Sequence, residues 1–193
     1  MTVQPDILVF AGSAREGSFN KKLARVATEA LVKAGAAATL VDLRDFPMPL
    51  FDEDLEKAQG EPATATAFKT LMKQADGFVI ASPEHNSTYS ALLKNTIDWA
   101  SRKREGETAL QCFAGKPAML VSASPGQLGG LRGLLALRAL LGNLRVLVSP
   151  DQLAVSSAHT AFREDGSLAD QKQAETVANM AASFVALVGK IKK

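Results

Sequence analysis

The sequence predicts an α/β three-layer sandwich, a five-stranded parallel sheet in the order 2-1-3-4-5 with helices on both faces. Three observations lead there. Short apolar runs alternate with helical patterns along the whole chain, which is how a parallel sheet is covered on both sides. The third run, Gly77-Phe78-Val79-Ile80-Ala81, has no polar position, as a central strand buried on both faces requires. Five such runs are found, which favours this order over the six-stranded one. At 193 residues, with 47% apolar and 22% charged residues, the chain suits one well-filled domain, residues 1–193, and is short for two.

The first strand is Ile7 to Ala11, stopped by Gly12, and a helical pattern takes over from about Ser18 to Lys33. Gly35 ends that helix, and Ala37 to Leu43 reads as the second strand. Arg44 to Gly60 is a long connection holding Pro47, Pro49 and then Asp52, Glu53 and Asp54. Pro62 precedes a helix from about Thr64 to Gln74. After the third strand, Ser82 to Thr88 is a loop leading into a helix of about Ser90 to Arg104. Leu93, Thr96, Ile97 and Ala100 form its inner face, and Lys94, Asp98 and Arg102 stand at the spacing of an ion-pair ladder. Trp99 falls at the edge of the buried stripe, either within a self-contained helix or at a subunit contact. Pro117 to Ser122 is the fourth strand, Ser124 to Gly130 a glycine-rich turn, and Leu131 to Leu141 a helix. Arg145 to Ser149 is the fifth strand. The last helix, about Leu168 to Lys190, shows an apolar side of Leu168, Val177, Ala181, Phe184, Val185 and Val188.

Several function classes are disfavoured. The net charge of +2 is small, and Arg102-Lys103-Arg104 and the Lys-rich tail read as a helix end and a frayed end, so no nucleic acid is expected. The most apolar segment, Leu131 to Val148, carries Arg132, Arg138 and Arg145, so no membrane span is expected. Cys112 is the single cysteine and cannot form an internal disulfide, and Asp6 interrupts any apolar leader; a cytoplasmic setting is expected. Two scattered histidines and one cysteine make no metal site. No G-x-S-x-G elbow occurs, and Ser156, Ser157 and His159 read as a loop. No side chain stands out as a catalytic acid, base or nucleophile.

Three loops follow strands 1, 3 and 4 and should converge beyond their carboxyl ends, where ligands bind in such sheets. The first, GSAREGSFN, joins a strand to a helix N-terminus, whose free N–H groups and dipole favour an anion. Gly12 opens it, Ser13 and Ser18 add hydroxyls, Asn20 an amide and Arg15 a guanidinium, all suited to phosphate oxygens. It has the frame of a triphosphate loop, but Ser18 stands where that loop needs lysine. A monophosphate fits better, the other reading being a plain polar turn. The second loop, Pro83-Glu84-His85-Asn86, could present its backbone and Asn86 to the edge of a ring system, though His85 reads equally as an exposed histidine without chemistry. The third, SASPGQLGG, with Ser124 and Gly126, reads equally as a binding loop or a simple strand-to-helix connection. A monophosphate site beside a planar-ligand edge, without acid–base machinery, points to a cofactor that carries its own chemistry.

GSAREGSFNKKLA, PEHNSTYSALLKNTIDWASR and SASPGQLGGLRG, in this order and spacing, resemble the NAD(P)H-dependent FMN reductase family, with its chromate reductase, quinone reductase and azoreductase relatives. The likeness runs from Ile7 to about Pro150. It implies a flavodoxin-like fold with bound FMN, and NADPH or NADH as hydride donor to a small-molecule electron acceptor such as a quinone, flavin, azo compound or chromate. On this resemblance Ser13, Arg15, Ser18 and Asn20 hold the phosphate. Pro83, Glu84, His85 and Asn86 line the isoalloxazine, and Ser124 and Gly126 its pyrimidine edge. The family usually has tyrosine where this chain has His85. It also implies a homodimer or homotetramer with the Trp99 helix near the contact. The rival readings are a flavodoxin-type electron carrier, disfavoured by Arg15 and the slight positive charge, and a non-redox protein holding another phosphorylated ligand.

Overall fold

The structure, a computed structural model, describes residues 4–192. Five strands form one parallel sheet in the order β2-β1-β3-β4-β5, as expected: β1 Asp6–Ala11, β2 Ala37–Val41, β3 Gly77–Ala81, β4 Pro117–Ala123 and β5 Leu147–Val155. Successive residues of β1, β3 and β4 face opposite sides, so two cores form. Ile7, Val9, Val79 and Val121 pack beneath α1 (Phe19–Lys33) and α6 (Gln171–Ile191). Leu8, Phe10, Phe78, Ile80 and Leu120 pack beneath α3 (Ala63–Gln74), α4 (Ala91–Ser101) and α5 (Leu131–Asn143). The helix α1 buries Leu23, Ala24, Ala27 and Leu31, the spacing of one helical face, and Ser18 caps it by accepting from Lys21 N.

The Arg44–Gly60 connection departs from the expectation of a plain loop. It holds a 3₁₀ turn at Leu43–Asp45, which shortens the second strand to Val41, and α2 at Glu53–Gln59. Asp52 caps α2, its Oδ1 accepting from Asp54 N (2.7 Å) and Leu55 N (3.3 Å). The intervening segment is strapped onto α4. Trp99 Nε1 donates to Pro49 O at 2.8 Å, and Phe51 N donates to Asn95 Oδ1 at 2.8 Å.

Trp99 is therefore fully buried within the chain and is no candidate for a subunit contact. The expected ladder also splits. Lys94 and Asp98 pair at 2.7 Å, but Arg102 turns to Glu56, with Nη2 2.7 Å from Oε2, because α2 supplies a carboxylate against the Phe51 ring on which the guanidinium sits. Strand β5 runs on to Val155, well beyond the expected end at Ser149. Val148 pairs with Ala118 and Gln152 with Leu120, so Ser149, Pro150 and Asp151 bulge opposite Met119. An edge strand tolerates that proline, and Arg138 Nη1 braces the bulge by donating to Ser149 O at 2.8 Å. The last helix begins at Gln171 rather than Leu168, since Asp170 caps it. By length and hydropathy α6 alone among the described residues could cross a membrane, but Val177, Ala181, Phe184 and Val188 are committed to the core.

Candidate functional site

The three loops meet beyond the carboxyl ends of β1, β3 and β4, around a cleft of about 150 Å³. It is lined by Ser13, Arg15, Ser18, Asn20, Pro83, Glu84, His85 and Ser124, together with Phe19, Ala123 and Pro125, which sequence reasoning did not single out. Gly12, Asn86 and Gly126 do not line it.

Gly12 ends β1, its N–H donating to Ala81 O at 2.9 Å. A Cβ there would lie 3.0 Å from Leu93 Cβ and 3.3 Å from Pro83 Cδ, so glycine lets the loop leave the sheet close to α4 without pressing on either side chain. Ser90, the α4 cap, ties the two together by donating its hydroxyl to Gly12 O at 2.6 Å. Beyond Gly12 the loop bonds itself sparingly. Arg15 N donates to Ser13 Oγ at 3.4 Å and Ser18 N to Arg15 O at 3.3 Å. The N–H groups of residues 13, 14, 16, 17, 19 and 20 meet no acceptor among the described residues, and neither does the Arg15 guanidinium. A strand-to-helix turn with free N–H groups is the kind of backbone that can hold an anion.

Asn20 stands differently from its neighbours. Buried at 3% exposure, it accepts from Ala123 N at 3.0 Å and donates to Ala123 O at 2.9 Å. This two-way clamp fixes the start of α1 to the end of β4, which makes the Asn20 side chain a brace between the first and third loops.

The second loop is a closed hairpin. His85 N donates to Thr88 O at 2.8 Å and Thr88 N to His85 O at 3.1 Å. Between them Asn86 (φ 51°) and Ser87 (φ 68°) form a type I′ turn. The backbone N–H and C=O of His85 are thus used within the hairpin, and His85 lines the cleft. Glu84 turns its carboxylate to α5: Oε2 accepts from Gly133 N at 3.0 Å, and Oε1 accepts from Arg132 Nε at 2.8 Å. Burial pushes the Glu84 pKa up, but the Gly133 N–H and the Arg132 guanidinium outweigh it, so the carboxylate titrates below its ordinary range. Glu84 caps α5 in place of Gly130, whose own lack of a side chain leaves that helix without a local cap.

In the third loop the glycines differ among themselves. At Gly129 (φ +61°) a Cβ would sit 2.7 Å from backbone carbons of Ala154 and Val155. At Gly130 (φ +95°) it would fall on the Ser122 hydroxyl, a buried oxygen with no hydrogen-bond partner among the described residues. Gly126 has neither constraint. A Cβ there would meet only Ser124 Oγ, at 3.8 Å.

Sheet order and cleft together define a flavodoxin-like α/β protein with a polar cleft at the carboxyl edge of its strands. The family model for NADPH-dependent FMN reductases matches residues 5–160, and this chain belongs to that family. It is 37% identical over 172 residues to an NAD(P)H-dependent FMN reductase of Pseudomonas aeruginosa, a match covering 89% of this chain and 88% of the relative. It is 30% identical over 194 residues to a quinone reductase of Escherichia coli K12, covering 100% of both. Among solved structures it is similar to FerB, a flavoenzyme NAD(P)H:(acceptor) oxidoreductase from Paracoccus denitrificans, with a TM-score of 0.81, 26% identity, and coverage of 96% and 98% of the two chains.

Proposed function

We propose that this chain, as a single domain over residues 1–193, is an FMN-dependent NAD(P)H oxidoreductase that reduces quinones and, through the same open site, free flavin, azo compounds or chromate. The observation that carries the reading is the first loop: Ser13, Arg15, Ser18, Phe19 and Asn20 line the cleft, and among the described residues the N–H groups of 13, 19 and 20 and the Arg15 guanidinium meet no acceptor. Bound FMN would supply the hydride and electron transfer chemistry itself. The protein's part is to hold the cofactor. Ser13 and Ser18 bring hydroxyls to the phosphate, Arg15 its charge, and the free N–H groups of the loop their dipoles. Asn20 keeps the loop in register with β4. Pro83 and the His85 side chain form one wall, Ser124 the other, and Glu84 stiffens the hairpin through α5.

The test is direct. The purified protein should bind FMN, show a flavin spectrum, bleach anaerobically with NADPH or NADH, and regain colour with a quinone. Flavin that binds but is bleached by neither nicotinamide would make the chain an electron carrier instead; a preparation unable to bind FMN would end both readings. A cytoplasmic location agrees with the lone cysteine: Cys112 is buried, and burial pushes its thiol pKa up, so it is inert. Pairing into a homodimer or homotetramer is supported by Leu128, Leu131 and Leu135, exposed at one end of α5 beside the site. Light scattering on the purified protein checks it, a monomer at micromolar concentration being the contrary result.

A further inference from the structure

We infer that Phe162 is a positioning residue for phosphate capture, acting through Phe19 to hold Arg15; the inference rests on the phosphate reading of the first loop. The Arg15 guanidinium lies over the Phe19 ring, 5.4 Å from its centroid, and has no hydrogen-bond or ion-pair partner among the described residues. An exposed arginine without a carboxylate would otherwise sample many rotamers. Stacking fixes the plane of the guanidinium and leaves its N–H edge free for an oxyanion. The Phe19 ring is itself held. The Phe162 ring lies parallel to it, 3° between planes and 6.3 Å between centroids, and Lys22 Nζ stands 5.8 Å from the Phe162 centroid.

Phe162 comes from the segment between β5 and α6, beyond the residues matched by the family model. That segment is rigid enough to serve. Phe162 bridges to Leu168, Ala169 N donates to Ala161 O at 2.9 Å, and Arg163 Nη1 donates to Leu168 O at 2.7 Å. A strap contributed from the end of the chain thereby sets the direction of a side chain at its beginning.

The test compares FMN with riboflavin, which lacks the phosphate, by flavin fluorescence titration of the apoprotein. Phe162→Leu keeps apolar volume but removes the ring face; Phe162→Tyr keeps the ring. The expected result for Phe162→Leu is FMN affinity lowered about two- to five-fold, the lower range of one lost aromatic pair, since Phe19 keeps Arg15 but loses the ring that holds it, with riboflavin affinity unchanged and Phe162→Tyr like the wild type. In an Arg15→Ala background Phe162→Leu should have no further effect. An unchanged FMN affinity in Phe162→Leu, an equal loss for riboflavin, or an equal loss without Arg15 would overturn the inference. If Arg15→Ala alone leaves FMN affinity intact, the phosphate reading itself fails, and this inference with it.

Discussion

The loops after β1 and β3 lie side by side at the same cleft and handle their polar groups in opposite ways. The first leaves six N–H groups and a guanidinium without acceptors among the described residues. The second closes on itself, His85 to Thr88, and fastens its one carboxylate to Arg132 and Gly133. Donors left free at a surface are available to a ligand, and on the reading proposed above this loop is where binding is done. Saturated ones mark a wall whose job is shape. The third loop belongs with the second: Gly129 and Gly130 are there because backbone and Ser122 leave no space for a side chain.

Substitutions in the wall should cost stability, and substitutions in the cradle should cost phosphate affinity. The largest effect is expected from Gly129→Ala. Its Cβ would meet backbone atoms at 2.7 Å, in a conformation with φ +61°. Such an overpacked, strained site costs about 3 kcal/mol, or roughly 6–12 °C in melting temperature for a chain of this size. Arg15→Ala should leave the melting temperature of the apoprotein alone and weaken FMN binding about 10–100-fold, the value of a charge-assisted contact to phosphate, as read by fluorescence titration.

Glu84→Gln should destabilise by about 1 kcal/mol at pH 7 in urea unfolding, a figure reduced for the exposure of Arg132. Because the folded state depresses the Glu84 pKa, its contribution is fully present above the unfolded value near 4.5 and is lost as pH falls through the lower folded value. The stability gap between wild type and Glu84→Gln should therefore close under acid. Ser87→Gly should stabilise by about 0.5–1 kcal/mol, since a serine at φ 68° in a type I′ turn stands where glycine is preferred. Gly126→Ala, at a position with open space and no positive φ, should change neither melting temperature nor FMN affinity.

Much of this contrast is written locally in the sequence, and the remainder is not. The strands at Ile7, Gly77 and Pro117 are legible because an apolar run between a breaker and a loop has one reading. The first loop is legible because its glycine, serines and arginine lie within nine residues. By contrast, Glu84 finds Arg132 and Gly133 48 and 49 positions away, and Asn20 finds Ala123 at a separation of 103. No pattern within either stretch announces these bonds. The extension of β5 past Pro150 is hidden for another reason: the bulge and the edge position excuse a proline that a central strand would forbid. For α2 there was a signal, Asp52 as cap and Gly60 as terminator, masked by the prolines before it.

The measurement that bears most directly on the central claim is the affinity of the wild-type apoprotein for FMN against riboflavin, titrated at one ionic strength. A cradle of free N–H groups and Arg15 predicts FMN bound at least about 100-fold more tightly, two charge-assisted contacts' worth. Equal affinities would mean that the loop after β1 does not hold a phosphate, and the distinction between binding loop and wall would fall.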